Sequence, residues 1–391
     1  MSAIDHPRRV LLLVSDLEFG GAQRQVVELA NHLEYAGVEA HVCSLAGYVP
    51  LANDLREHDR RLHVVRKHGK YDFTVVPRLA RLLRQLRAEV LHTFLFDADF
   101  YGRLAGRLAR VPAIVGSERN TDYVPLRRHI WAYVLTRAAN DLTIANSTAG
   151  ADFHARTFAV PRSRIRVVHN GVNTMRFSPR ARPELRRQLG AHDQDAIVGM
   201  FASFRPEKNH ALWLHAAQDV RRAVPQLRLL FAGDSLYQGM SNSVAVKAEV
   251  NQLVDTLDLR GCCWFVGNRP DIESFYGICE VTVLPSRYEG TPNVVLESMA
   301  CGVPVVVSNV SDNAHLVPDG RAGYVVPSGD RRQLAERIGT LLTNEPLRRA
   351  MAKEARAWVV REFSGQRLAE KTLAAYRDAL CFRAGHDPQT Q

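Results

Sequence analysis

Residues 284–308, LPSRYEGTPNVVLESMACGVPVVVS, govern how the rest of the chain is read. An apolar strand ends at Leu284-Pro285-Ser286, a polar loop follows, and a short helix leads into the apolar strand VPVVVS. Thr291 is a suitable N-cap, Pro292 suits the first helical position, and Gly302 followed by Pro304 closes the helix. Glu289 is thereby placed on the loop and Glu297 about five residues into the helix, with seven residues between them. Gly290, Thr291, Pro292, Asn293 and Val294 form the helix start, where amides lack intrahelical partners and carry the positive end of the dipole. Such a start suits a phosphate or a sugar oxygen. One carboxylate can accept hydrogen bonds from sugar hydroxyls and the other from a ribose. An ordinary loop–helix–strand unit with two solvated glutamates has the same spacing, so the wider sequence must decide between them.

The chain has 391 residues, 46% of them apolar and 24% charged, enough for two domains of ordinary core size. No run of 18 apolar residues is present, and the start, MSAIDHPRRVLLLVS, reads as a buried first strand rather than a signal peptide. Cys43, Cys262, Cys263, Cys279, Cys301 and Cys381 fall in no metal-ligand spacing and are expected to be reduced, in a cytoplasmic protein. The net charge is +10, with the densest basic run from Arg56 to Arg87. Within it Arg78, Arg81, Arg84 and Arg87 step by three beside Leu79, Leu82, Leu83 and Leu86, a basic helix face next to an apolar stripe. Such a face is either simply solvated or attracted to an anionic membrane surface or a phosphorylated acceptor. No stacking aromatics accompany the arginines, so nucleic acid is not expected as a partner.

Apolar strands alternate with amphipathic helices in both halves, the pattern of doubly wound parallel sheets in an α/β protein. Strands are expected at 9–15, 39–44, 62–66, 89–93, 113–116, 141–145 and 165–168. In the second half they are expected at 196–202, 227–232, 262–266, 280–284, 304–308 and 323–326. Helices are expected at about 22–35, 208–224, 243–257, 292–301 and 330–343, and residues 346–382 read as helical throughout. NTMRFSPRARPEL, from Asn173 to Leu185, reads as the linker.

The 284–308 segment resembles the donor-site signature of the family-four retaining glycosyltransferases, two glutamates seven residues apart, in its flanks as well as its acids. Tyr288-Glu289-Gly290 and Glu297 through Pro304 (ESMACGVP) match it. The resemblance spans nearly the whole chain. It implies two Rossmann-like domains facing across a cleft, the GT-B arrangement, with a terminal helix crossing back to the first. The expected boundaries are 1–175 for an acceptor-binding domain, 176–363 for a nucleotide-sugar-binding domain, and 364–391 for the returning helix and tail. Gly20-Gly21 stands at the family's glycine turn after the first strand, where it touches the donor phosphate or acceptor. ASFRPEKNH, residues 202–210, matches the segment that grips the diphosphate. Lys208 falls on its lysine, Ser203 holds the place of the family arginine, and Arg205 is the candidate for the missing charge. Gly233-Asp234 resembles a turn close to the nucleotide, and Asn268 and Arg269 are candidates to meet the base.

His169-Asn170-Gly171 matches a tight turn at the end of the first domain, and Asn173 stands where relatives usually carry aspartate. On the acceptor side many relatives place a histidine where this chain has Glu118, Arg119 and Asn120. His92 is the nearest alternative, although a histidine at a strand end is more often a packed core residue. Asp97-Ala98-Asp99 is expected to begin a helix and Asp193-Gln194-Asp195 to lie in a turn. No catalytic metal and no cofactor are expected.

The resemblance implies a retaining hexosyltransferase that moves a sugar from a UDP- or GDP-sugar to an acceptor hydroxyl. A lipid-linked saccharide or other glycan of a surface polysaccharide is the expected acceptor, at the inner face of a membrane. Glu289, Lys208 and Arg205 would carry the chemistry. A non-catalytic binding subunit and a sugar-nucleotide epimerase of the same fold remain alternatives, and a phosphorylase would be revealed by phosphate-dependent turnover.

Overall fold

The run RVLLLV forms the first strand, β1 (Arg9–Val14), and every residue after Arg9 is buried. The strands on either side are almost as fully buried, as parallel strands covered on both faces are. The computed structural model describes residues 6–69, 71–119, 126–234 and 241–385. In the first unit β1 is followed by β2 (Glu39–Ser44), β3 (Leu62–Val64), β4 (Val90–Phe94), β5 (Ala113–Glu118), β6 (Leu142–Ala145) and β7 (Ile165–Val167). They pair in parallel in the order β3-β2-β1-β4-β5-β6-β7. The sheet is covered on both faces. Helices Val75–Gln85 and Phe96–Ala109 bury Leu79, Leu83 and Tyr101 against Leu11 and Leu13. Helices Gly21–Tyr35 and Gly365–Arg383 bury Val26, Leu33, Leu373 and Tyr376 against Leu12 and Phe94.

The second unit repeats the plan with β8 (Ala196–Phe201), β9 (Leu227–Ala232), β10 (Cys263–Gly267), β11 (Val281–Leu284), β12 (Val305–Ser308) and β13 (Gly323–Val326). The order is β10-β9-β8-β11-β12-β13, again parallel throughout. Trp213 and Leu214 pack on one face with Val198 and Met200, while Leu296, Met299, Val359 and Phe363 pack on the other with Phe201 and Val305. Each such side chain contributes about 1.5–3 kcal/mol of burial. Both sheets are Rossmann-like, with the order reversing beside β1 and β8, which puts binding loops at the strands' carboxyl ends.

Three local expectations differ from the structure. The C-terminal run is two helices, Glu345–Glu362 and Gly365–Arg383, broken where Phe363 plugs the second core and Ser364 bridges Val172. Arg87 does not continue the basic helix, which ends at Gln85; it adopts φ 48° beyond it. The stretch around Asn173–Leu185 is packed rather than free. Phe177 is buried in the second core, Arg176 pairs with Glu273 at 3.1 Å, and a helix forms at Pro183–Gln188. The compact units are Met1–Gly171 with Gly365–Gln391, and Val172–Ser364. Among the described residues no helix is long and apolar enough to cross a membrane.

Candidate active site

At the carboxyl ends of β8 and β11, two loops of the second unit meet. After β8, Phe204 turns inward and stacks on His210 at 4.7 Å, and Pro206–Lys208 makes one turn of 3-10 helix. Asn209, at φ 55°, then starts the helix His210–Ala223, a left-handed position that asparagine tolerates well. After β11, Ser286 is fully buried and donates to Glu289 Oε1 at 2.6 Å. The Arg287 amide donates to the Glu207 carbonyl at 2.8 Å, joining the loops, and Lys208 Nζ lies 2.6 Å from the same Glu289 oxygen. The ion pair is largely shielded, with side-chain exposures of 17% for Lys208 and 9% for Glu289. The two principal candidates, 81 residues apart in sequence, are thus brought into direct contact.

Helix Asn293–Ala300 begins four residues after Glu289, so its positive dipole end adjoins this loop. Pro292 takes the N-cap position and makes no side-chain cap, which corrects the assignment of that role to Thr291. Gly302, at φ 70°, closes the helix as expected, with its amide on the Met299 carbonyl and the Val303 amide on Ser298. Glu297 is buried and accepts from the Tyr276 hydroxyl at 2.9 Å. The Tyr276 ring is itself fixed by stacking on Phe201 at 3.8 Å.

The ends of β9 and β10 close the edge. Gly233 has φ 135°, and a Cβ there would stand 2.2 Å from the Ala202 carbonyl oxygen, so only glycine fits against the Ser203 loop. Asp234 pairs with Lys247 at 2.6 Å, and the same ammonium lies 5.7 Å from the Phe204 ring. Arg205 turns back to pair with Glu207, its neighbour two residues on, which already gives its charge a partner. Arg269 pairs with Asp271 at 3.0 Å and lies over Phe275, while Asn268 is exposed. Burial, with the Lys208 charge as the second cause, pulls the His210 imidazole down to about 4.

In the first unit, Gly20 caps helix Gly21–Tyr35 by backbone alone, and Gln23 lies over it, its amide held by Asp16 at 2.7 Å. His92 is fully buried. Its Nδ1 faces the Tyr376 hydroxyl at 2.8 Å and its Nε2 faces Ser117 at 2.7 Å. Burial, then the Arg119 charge, holds it well below the usual histidine range. With both ring nitrogens engaged inside the core, His92 has no atom to offer an acceptor, which removes it from the candidates. Glu118 is buried against His154 at 3.0 Å. Arg119 donates to Asn170 at 2.9 Å and lies over Phe94, with burial lowering its guanidinium to about 10, still charged at neutral pH. Asn120 lies outside the described residues.

Asp97 begins helix Phe96–Ala109 and pairs with Lys67, and Asp99 is taken by Arg103 and Thr93. Among the described residues no three His, Cys, Asp or Glu side chains gather as a metal centre would require. Ser286, Tyr276, Glu207 and Lys247 are the partners that sequence reasoning did not assign. Ser286 stands inside the quoted motif, whereas nothing local marks Lys247.

The protein-family model described as Glycosyltransferase Family 4 matches residues 19–176, and that of Glycosyl transferases group 1 matches 181–358. The chain is 31% identical over 308 residues to a D-inositol 3-phosphate glycosyltransferase of Acidothermus cellulolyticus, covering 75% of this chain and 68% of that one. It covers 56% of the length of such an enzyme from Segniliparus rotundus, at 29% identity over 66% of this chain. It is 23% identical to the Escherichia coli UDP-Gal:alpha-D-GlcNAc-diphosphoundecaprenol alpha-1,3-galactosyltransferase, covering 77% of this chain and 78% of that one. The crystal structure of Anabaena Alr3699/HepE with UDP and glucose superposes with a TM-score of 0.82 at 21% identity, over 94% of this chain and 99% of that one. The two parallel sheets are those of the GT-B fold. The chain belongs to the family-four glycosyltransferases.

Proposed function

We propose that the protein transfers a hexose from a nucleoside-diphosphate sugar to an acceptor hydroxyl with retention at the anomeric carbon. The observation that carries this is the Lys208–Glu289 pair, 2.6 Å apart with Ser286 on the same oxygen, at the carboxyl ends of β8 and β11. Lys208 then faces the departing diphosphate, helped by the helix start at 290–294 and by Arg205 once it swings from Glu207. Glu289 positions the sugar hydroxyls and Glu297 the ribose. The anomeric C–O bond breaks, the acceptor oxygen bonds the same face, and the acceptor proton passes to the leaving phosphate oxygen. No metal takes part, because the lysine and the amides supply the positive field. The second unit binds the donor, with Asp234, Asn268 and Arg269 at the nucleotide. The first binds the acceptor, with Gly20, Gly21, Glu118 and Arg119 on its side.

UDP is the favoured nucleotide and GDP the alternative; the UDP-Gal named for the E. coli relative and the UDP in the Anabaena structure support the former. The same relative's diphosphoundecaprenol substrate supports a lipid-linked saccharide as acceptor, met at an anionic membrane surface from the cytoplasmic side. The test is thermal stabilisation by UDP, GDP and their sugars, with magnesium or with a chelator. A shift that survives the chelator and is lost in Glu297→Ala supports the proposal. No shift with any nucleotide would leave a non-catalytic binding subunit in its place.

A further inference from the structure

We propose that helix Arg127–Thr136 of the first unit is the element that seats the protein on an anionic lipid surface. This rests on the membrane-surface part of the function proposed above and is separable from its donor part. The helix buries one aromatic and one hydroxyl side chain and leaves a large apolar stripe outward. Its buried face holds Tyr133, whose hydroxyl meets His154 at 2.9 Å and whose ring lies 4.3 Å from the Arg103 guanidinium, and Thr136, bonded to the Ala132 carbonyl at 2.8 Å. The outward face presents Trp131, Val134 and Leu135, with Trp131 67% and Leu135 78% exposed. Spaced by three and four residues, they form one stripe on the helix. Leu126, just before the helix, is half exposed as well.

Charge selects the occupant. RRHIWAYVLTRAAN, residues 127–140, contains no acidic residue, and Arg127 and Arg137 are exposed at the two ends of the stripe. The first unit holds 28 of the 51 Lys and Arg but only 20 of the 41 Asp and Glu, so it carries nearly all of the net positive charge. A second copy of this face would set arginines against arginines. Anionic headgroups would meet both ends at once, with Trp131 at the depth where tryptophan is favoured and Leu135 below it. A helix of ten residues is too short to span a bilayer and lies in its interface instead.

The experiment is co-sedimentation of the full chain with phosphatidylglycerol–phosphatidylcholine vesicles and with phosphatidylcholine vesicles. Binding is expected to the anionic vesicles only, with a blue shift of tryptophan emission that Trp131→Ser removes, since of the four tryptophans Trp131 is exposed, Trp264 and Trp358 are half-buried and Trp213 is buried. Trp131→Ser with Leu135→Ser should weaken partitioning about tenfold or more, because two large apolar side chains no longer enter the lipid. Arg127→Glu should weaken binding to the anionic vesicles about tenfold while leaving the apolar stripe intact, and it carries the test should the double variant melt lower than the parent. Binding to neither vesicle overturns the proposal, as does equal binding by parent and variants, or a dimer that the double variant dissociates. Nucleotide-induced stabilisation reports the donor site in the same samples. Its loss with vesicle binding intact would count against the donor reading alone.

Discussion

Replacing Lys208 by methionine keeps the aliphatic stem and deletes the ammonium that lies 2.6 Å from Glu289 Oε1. The carboxylate retains Ser286 at 2.6 Å, so the oxygen loses its charged donor and keeps a neutral one. A hydrogen bond to a charged group contributes about 1.5–3 kcal/mol. Exposed ion pairs contribute about 0–1 kcal/mol, and breaking a fully buried one costs about 3–5 kcal/mol. Exposures of 9% and 17% place this pair between those limits. A loss of about 2 kcal/mol is therefore expected, seen as a melting temperature lower by about 4–8 °C in a unit of this size. Turnover should fall much further, by about 100- to 1,000-fold, the range for removing one donor from developing negative charge. Sugar-transfer assays on folded Lys208→Met, Glu289→Gln and the double variant, with denaturant melts of each, separate the two effects. The stability cycle should return a coupling of about 1.5–3 kcal/mol. Turnover within about threefold of the parent, or a coupling under about 0.5 kcal/mol, would refute the assignment.

His210 sets an acid limb. Its imidazole titrates near 4 in the fold against 6.5 unfolded, so the unfolded chain takes up the proton first as pH falls. Stability from this group is complete above about pH 6.5 and declines towards pH 4, where about 3 kcal/mol is lost. His210→Phe, which keeps the stack on Phe204, should flatten the decline between pH 6.5 and 4.5 in denaturant melts; an unchanged slope would assign it elsewhere. Gly233→Ala forces a Cβ towards the Ala202 carbonyl and a left-handed backbone on alanine, and should cost about 2–3 kcal/mol by thermal or denaturant melt. Tyr276→Phe removes the donor to Glu297 while the ring stays stacked on Phe201. It should raise the donor KM several-fold with kcat nearly unchanged, and an equal fall in kcat would show that Tyr276 acts in the transition state instead.

The strands were legible because parallel strands buried on both faces read as unbroken apolar runs, as VLLLV and VPVVVS do. The Glu289 loop and the Lys208 turn were legible because each motif is local. Pairings between distant segments were not. Tyr276 with Glu297 and Lys247 with Asp234 join residues 21 and 13 apart whose types are common everywhere on a surface. The inward orientation of His92 depends on Tyr376, 284 residues away. The helix break at Phe363 left one trace, Ser364-Gly365, because composition on either side is equally helical. Close packing then explains the glycine. A Cβ on Gly365 would lie 2.2 Å from the His32 ring.

The chain leaves the first unit at Gly171 and returns at Gly365, and the two crossings lie side by side. The Val172 amide bonds the Phe363 carbonyl at 2.9 Å, and a Cβ on Gly171 would stand 3.2 Å from Gly365 Cα. The second unit is therefore an uninterrupted insertion with adjoining ends, while the first is assembled from the segments on either side of it. On the ribosome the later-made Rossmann unit can close as soon as Ser364 emerges. The earlier-made one must wait, with the faces of Leu12 and Phe94 uncovered, until Leu373 and Tyr376 have emerged as well. The earlier-made half is the half that finishes folding last.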